Sequence, residues 1–182
     1  MNKIVSKRML HETIVLLEIE APEIAAKTQT GQFVVIRIDE VGERIPLTVA
    51  DQDLDLQTIS VIFQIVGAST LRLADLNPGD CITDLVGPLG LPTQIPEGVQ
   101  RVCIVGGGLG CAIAYPQAKT MQARGFYVDM VAGFRSYDLV ILEDEMRQVT
   151  DRLFITTDDG SYGEQGFVTS KLESLINSGE SY

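Results

Sequence analysis

The sequence predicts two units in series: an antiparallel β-barrel over residues 1–98, then an α/β unit with a parallel sheet over residues 99–182. Three observations predict it. Residues 13–86 hold five short apolar stretches separated by turn residues, the pattern of a small barrel or sandwich. Residues 90–100 contain Pro92, Pro96 and Gly98 and read as a linker. Beyond residue 100 the pattern alternates strand and helix, which implies a parallel sheet with right-handed crossovers.

In the first unit, residues 13–20, 32–38, 44–50, 58–66 and 80–86 are the expected strands, rich in the Val, Ile and Phe that suit a pleated surface. Turns are expected at Ala21-Pro22, Gly31, Val41-Gly42, Asn77-Pro78-Gly79 and Gly87-Pro88. Residues 69–76 read as a helix through Leu71, Leu73 and Leu76, stopped by Asn77-Pro78-Gly79. Residues 1–8 are polar with no long apolar core behind them, so no signal peptide is expected.

In the second unit the expected strands are 102–105, 127–132 and 153–157, and the helices 111–124, 139–148 and 167–177. Pro116 falls inside the first helix pattern and should kink it. Three strands are few for a doubly wound sheet, and Tyr182 arrives without a closing strand. An incomplete nucleotide-binding unit, from a truncated chain or a fragment, is therefore an expectation.

Composition narrows the function. The 182 residues are 45% hydrophobic and 21% charged, a globular balance. Acidic residues outnumber basic ones 25 to 14, giving a net charge of −11. Such a surface repels nucleic acid and anionic membranes and suits a soluble chain or a basic protein partner. No apolar stretch reaches the ~18 residues of a membrane span. Cys81, Cys103 and Cys111 show no Cys-x-x-Cys spacing and read as reduced thiols of a cytoplasmic protein. The single histidine, His11, reads as a surface strand residue and leaves Ser60, Ser136 and Ser170 without a triad partner. No metal site is expected. Asp158-Asp159 has no further ligands in spacing, and Glu143-Asp144-Glu145 suits the first turn of a helix.

Three segments carry chemistry. The first is Arg101-Val-Cys-Ile-Val-Gly-Gly-Gly-Leu-Gly110, an apolar run that breaks into glycines before a helix. It would present backbone N–H groups to a phosphate at a helix N-terminus. Gly106 and Gly108 match a dinucleotide fingerprint, but its third position is Cys111. Asp129 stands at the distance of the acidic ribose ligand yet in mid-strand, so a conventional dehydrogenase fits poorly. Tight strand–helix packing is the alternative use of these glycines. The second is Arg44-Ile45-Pro46-Leu47-Thr48: an arginine for pyrophosphate, a proline for an edge or ligand-lining strand, and a hydroxyl for a ring nitrogen. A solvated edge strand is its alternative. The third runs from Ile62 through Gly67 to Ser69-Thr70, a second strand-to-helix break whose alternative is a simple N-cap. Two phosphate-type sites argue for two nucleotide-like ligands.

In this order, Arg-x-Pro-Leu-Thr, Phe-Gln-x-Val-Gly-x-Ser-Thr, Gly-Asp, Gly-Pro-Leu-Gly and Val-Gly-Gly-Gly-Leu-Gly resemble the ferredoxin–NADP reductase superfamily. Within it the chain is similar to the electron-transfer branch. That branch includes the alpha subunit of NADH-dependent ferredoxin:NADP oxidoreductase, the sulfide dehydrogenase type, and the electron-transfer subunit of dihydroorotate dehydrogenase B. Leu142-Glu-Asp-Glu-Met146 and Thr156-Thr-Asp-Asp-Gly-Ser-Tyr-Gly163 also resemble the first of these. The resemblance implies a flavin-binding barrel carrying FAD and a C-terminal unit binding NAD(P)H. It places Arg44, Ile45, Pro46, Leu47 and Thr48 at the flavin ring and phosphates, with Thr48 as the residue tuning flavin N5. Ile62, Phe63 and Gln64 would border ring and ribityl, and Ser69 and Thr70 the pyrophosphate. Gly107, Gly108, Leu109 and Gly110 would form the dinucleotide loop, with Arg135, Asp158 and Gly160 beside it.

The implied activity is an oxidoreductase subunit passing electrons between NAD(P)H and an iron–sulfur or larger redox partner through FAD, in a hetero-oligomer. NAD and NADP are not distinguished. Two departures stand out. Ile113 replaces a proline frequent in relatives. The four-thiolate [2Fe–2S] segment of relatives has no counterpart among three scattered cysteines. Such a segment lies in a longer parent, or the protein dispenses with it. A flavin-less docking or regulatory subunit is the alternative from another class.

Overall fold

The structure, a computed structural model, describes residues 2–182. The chain divides into two compact units, Met1–Thr93 and Gln94–Tyr182. The division falls inside the proline- and glycine-bearing segment 90–100.

The first unit contains β1 (Asn2–His11), β2 (Ile14–Glu20), α1 (Pro22–Ala25), β3 (Phe33–Arg37), β4 (Ile45–Asp53), β5 (Thr58–Gln64), α2 (Ala68–Asp75), β6 (Cys81–Ile82) and β7 (Asp84–Leu89). They form one seven-stranded sheet ordered β6-β1-β2-β5-β4-β3-β7 with antiparallel pairing throughout. Its two outer strands, β6 and β7, are separated in sequence only by Thr83. A sheet whose opposite edges are one residue apart along the chain must curl back on itself, so it is a nearly closed barrel. Thr83 bonds Ile38 through both its N–H (3.2 Å) and its hydroxyl (2.9 Å) at that seam.

The core follows the strand period. Val15, Leu17 and Ile19 of β2, Val34 and Ile36 of β3, and Ile59, Val61 and Phe63 of β5 point inward, with Ile24 of α1 and Leu73 of α2 packed among them. The antiparallel barrel read from the sequence is thus present, with three local differences. β1 was not expected, because only Ile4 of its ten residues is buried and backbone pairing holds the rest. The stretch 80–86 is two strands broken at Thr83. Gly87-Pro88, read as a turn, lies within β7, an edge strand where a missing N–H is tolerated.

The second unit contains β8 (Arg101–Gly107), α3 (Gly110–Ala123), β9 (Tyr127–Phe134), a 3₁₀ turn (Tyr137–Leu139), α4 (Glu143–Gln148), β10 (Arg152–Thr157), β11 (Glu164–Gln165) and α5 (Val168–Asn177). The sheet is parallel and ordered β11-β10-β9-β8. The α/β alternation is as expected, with β11 added as a two-residue fourth strand. The helix expected over 139–148 shortens to α4, because Ile141 and Leu142 are drawn into the interior and Leu142 adopts φ 57°.

Two glycines set the helix layers. A Cβ on Gly106 would stand 3.0 Å from Cα of Cys111 and Cβ of Ala114 in α3. A Cβ on Gly133 would stand 2.3 Å from Val168 of α5. Gly106 pairs with Ala132, the neighbour of Gly133, so α3 and α5 cover opposite faces of the sheet. The parallel register brings the loops after β8, β9 and β10 to one end, and Arg101, Tyr127 and Arg152 to the other.

Candidate functional site

In the first unit, strand alternation decides which expected residues face outward. Ile45 and Leu47 pack against the core and Val49 lies within it. Arg44, Pro46 and Thr48, out of phase with them, therefore share the outer face. Arg44 and Pro46 are exposed and Thr48 half-buried. On β5, Val61 opposes Val49 directly, and both are core residues. Thr48 and Ile62, each one step away, thus lie on the same side of the sheet, Ile62 itself buried at 9% exposure and Gln64 exposed two residues further on. Phe63 does not join them. Its side chain is 2% exposed and belongs to the core, so only its backbone is available.

The sequence reading missed Phe33. It stands opposite Thr48 across the β3–β4 pair and out of phase with buried Val34 and Ile36. The available signal was its odd position in an alternating strand. Gly90, at φ 80°, lies where a Cβ would touch the Phe33 ring at 3.0 Å.

At the start of α2 the two hydroxyls have different uses. Thr70 Oγ1 accepts the N–H groups of Val66 (3.0 Å) and Gly67 (3.1 Å) and donates to the Gly67 carbonyl (3.0 Å). It caps the helix from inside the first turn. Ser69 donates its hydroxyl to Glu43, and Arg72 pairs with Asp39. The β3–β4 loop is thereby tied to α2 at two points. The N–H groups of Ala68, Ser69 and Thr70 form the helix's first turn, where α-helical geometry supplies no internal acceptor.

In the second unit the glycine loop divides its labour. Gly106 serves close packing on α3, as described above. Gly107, Gly108 and Gly110 have nothing within 4 Å of where a Cβ would stand. Gly108, at φ 52°, donates to the Gly133 carbonyl at 2.8 Å. Leu109 is the N-cap residue of α3. Cys111, which occupies the third fingerprint position, is fully buried. Burial pushes its thiol up to about 12 despite a hydrogen bond with the Gly133 backbone, so it is a neutral packing group.

The loops after β9 and β10 meet at the same end. Asp158 N–H bonds Phe134 O (3.0 Å) and Asp159 N–H bonds Arg135 O (3.3 Å). Arg135 and Asp158 are exposed, and Gly160 takes φ 73°. Tyr137 and Tyr162 make a tilted ring contact, 5.0 Å between centroids with 52° between planes. Tyr162 also donates to Glu143 at 3.0 Å.

The opposite end of the sheet holds a charge network that sequence reasoning did not assemble. Asp129, fully buried, receives hydrogen bonds from Arg101 (2.7 Å), Arg152 and Tyr182 (2.8 Å). Glu180 bridges the same two arginines. Arg101 lies between the rings of Tyr127 (4.7 Å) and Tyr182 (5.3 Å). Asp129 is therefore at the amino end of β9 and engaged, away from the strand ends where nucleotides sit in parallel sheets.

His11 accepts the Thr13 N–H at 3.3 Å in the β1–β2 turn. Among the described residues, no group of three or more His, Cys, Asp and Glu side chains is placed to hold a metal ion. No helix there is long and apolar enough to cross a membrane.

A nearly closed antiparallel barrel followed by a parallel α/β unit is the ferredoxin reductase-like fold. A solved structure of NADH-dependent reduced ferredoxin-NADP oxidoreductase is similar to it at 40% identity and a TM-score of 0.89, over 97% of this chain and 63% of that one. No protein-family model matches. The dihydroorotate dehydrogenase B (NAD(+)) electron transfer subunit of Geobacillus thermodenitrificans is 34% identical over 175 residues, 93% of this chain and 67% of the relative. Its homolog from Thermotoga maritima is 41% identical over 176 residues, 97% and 62%. The chain belongs to the dihydroorotate dehydrogenase B electron-transfer-subunit family. It spans 62% to 67% of the length of these relatives.

Proposed function

We propose that the chain passes electrons between a nicotinamide nucleotide and an iron–sulfur partner through FAD, as one subunit of a hetero-oligomer. Residues 1–98 would hold the flavin and residues 99–182 the nucleotide. The carrying observation is the outer face shared by Arg44, Pro46 and Thr48 with Ile62 and Gln64, while the alternate residues of both strands fill the core. That face suits a flat ring: an apolar wall, one hydroxyl and one cation. When bound, the flavin supplies hydride acceptance from the nicotinamide and one-electron release to the partner.

Thr48 would place its hydroxyl beside the ring. Arg44, with the N–H groups at the start of α2, would meet the pyrophosphate. Gly107, Gly108, Leu109 and Gly110 would admit the nucleotide's phosphates, since open space stands where side chains would otherwise project. Arg135, Asp158 and Gly160 would border its adenosine end. No side chain is required as acid or base. Within residues 1–182, Cys81, Cys103 and Cys111 are too few for a [2Fe–2S] cluster. The free thiols suit the cytoplasm.

A visible spectrum of the purified chain, with FAD added, tests this reading. Flavin bands that bleach on anaerobic addition of NADH or NADPH support it, and the more effective nucleotide identifies the donor. A colourless protein that takes up no FAD rejects it in favour of a docking subunit.

A further inference from the structure

The loop after β10 is fixed at its base and at its tip. At the base, Thr157 donates its hydroxyl to the Tyr162 carbonyl (2.6 Å) and accepts the Tyr162 N–H (3.1 Å). The carbonyl of Thr157 also accepts the N–H groups of Gly160 (3.2 Å) and Gly166 (3.0 Å). At the tip, Ser161 makes three bonds. Its N–H (2.9 Å) and hydroxyl (2.6 Å) both go to Oδ1 of Asp159, and its Oγ accepts the N–H of Tyr137 at 2.8 Å. Tyr137 belongs to the loop after β9. The bonds from Ser161 hold the Asp159 carboxyl below the usual carboxylate range, so it is charged at neutral pH.

We propose that Ser161 is a positioning residue: it clips the loop after β10 to the loop after β9, and so presets the two strand-end loops that receive the nicotinamide nucleotide. This rests on the nucleotide reading above. Both loops leave the carboxyl end of the sheet, where parallel α/β units bind their ligands. Ser161 is itself exposed and buries no apolar surface, so it adds little to the fold. Its contribution is order. Without the clip, the Asp159 side chain and the Tyr137 backbone would sample more conformations, and binding would bear the entropy of collecting them. The bonds from Asp158 to Phe134 and from Asp159 to Arg135 and the Tyr137–Tyr162 contact would remain. The base held by Thr157 would remain, so the loop would loosen only at its tip.

The test compares the full chain, loaded with FAD, as wild type, Ser161→Ala and Ser161→Thr. NAD⁺ and NADP⁺ are titrated calorimetrically, because the oxidised nucleotides leave the flavin unreduced. For the nucleotide that binds wild type better, Ser161→Ala should weaken affinity about fivefold, the scale of one or two lost hydrogen bonds, and Ser161→Thr should restore it. Amide hydrogen exchange at Tyr137 should accelerate in the alanine variant alone, with its melting temperature unchanged. Wild-type affinity in Ser161→Ala, or no recovery in Ser161→Thr, overturns the clip while leaving the proposed function intact. Failure of wild type to bind either nucleotide overturns both.

Discussion

Asp129 and Arg152 form a forked ion pair, with Nε bonding Oδ1 at 2.7 Å and Nη2 bonding Oδ2 at 2.6 Å. They sit on adjacent parallel strands at directly paired positions. The carboxylate is fully buried, so its charge is tolerated only because Arg152, Arg101 and Tyr182 surround it. Replacing Asp129 by Asn leaves two arginines facing a neutral amide, with Glu180 as their remaining counter-charge. The expected loss is about 2–3 kcal/mol, less than for a sealed pair because both arginines are partly solvated. Urea denaturation should show a lower midpoint with an unchanged slope.

The same network sets an acid limit. Burial pushes the Asp129 carboxyl up, but hydrogen bonds from Arg152, Tyr182 and Arg101 outweigh it and hold the group below its ordinary range. Glu180 is held low by its bonds from Arg152 and Arg101. A depressed folded pKa contributes stability above the unfolded value, and that stability is lost as pH falls through the folded one. With unfolded values of about 3.9 for Asp and 4.3 for Glu, the melting temperature should hold above about pH 5 and drop steeply toward pH 3. The drop should be shallower in Asp129→Asn. Equal slopes in the two proteins would remove the network as its cause.

The network also marks the limit of what the sequence makes legible. The two units, the helix stop at Asn77-Pro78-Gly79 and both glycine-broken strand ends are local signals. They depend on backbone preferences that neighbours in the chain reveal. Arg101, Arg152 and Tyr182 are each unremarkable where they stand, and Asp129 stood out only by its spacing from the glycine loop. Parallel register brings Arg101, Asp129 and Arg152 to one end of the sheet, and the segment after α5 returns Tyr182 to them. β1 was invisible for a related reason: its ten residues bury one side chain, so no apolar period announces it. In the candidate flavin face, the sequence offered Arg44, Ile45, Pro46, Leu47 and Thr48 together, and strand alternation in the structure turns Ile45 and Leu47 to the core. The same alternation separates Phe63, whose phase is that of Val61, from Ile62 and Gln64.

Gly163 is required by two independent constraints. It takes φ 63°, and a Cβ there would stand 2.2 Å from the Ile155 carbonyl oxygen. The obstacle is backbone in a central part of the unit, which cannot swing aside as a side chain could. Gly163→Ala should cost more than the ~1–2 kcal/mol of a left-handed residue alone. The loop base at Thr157 should open with it. Thermal denaturation and amide exchange at Tyr162 read the two effects, and a stability within error of wild type would contradict the close approach.

Glu43 donates nothing to the candidate pyrophosphate seat and occupies part of it, since its carboxylate takes the Ser69 hydroxyl at the start of α2. A phosphate arriving at that turn meets a negative charge and a donor already engaged. Both effects oppose binding. Gln at position 43 keeps the length and the acceptor oxygen but removes the charge. The pair is exposed to solvent, so the Coulomb penalty is modest, about 1 kcal/mol at contact distance in water, or roughly fivefold in affinity. FAD should therefore bind Glu43→Gln about fivefold more tightly than wild type, as read by quenching of flavin fluorescence. Raising salt should shrink the difference, because screening weakens repulsion between exposed charges. Weaker binding in Glu43→Gln would mean that Glu43 orients Ser69 for the ligand, and the competition account would be wrong.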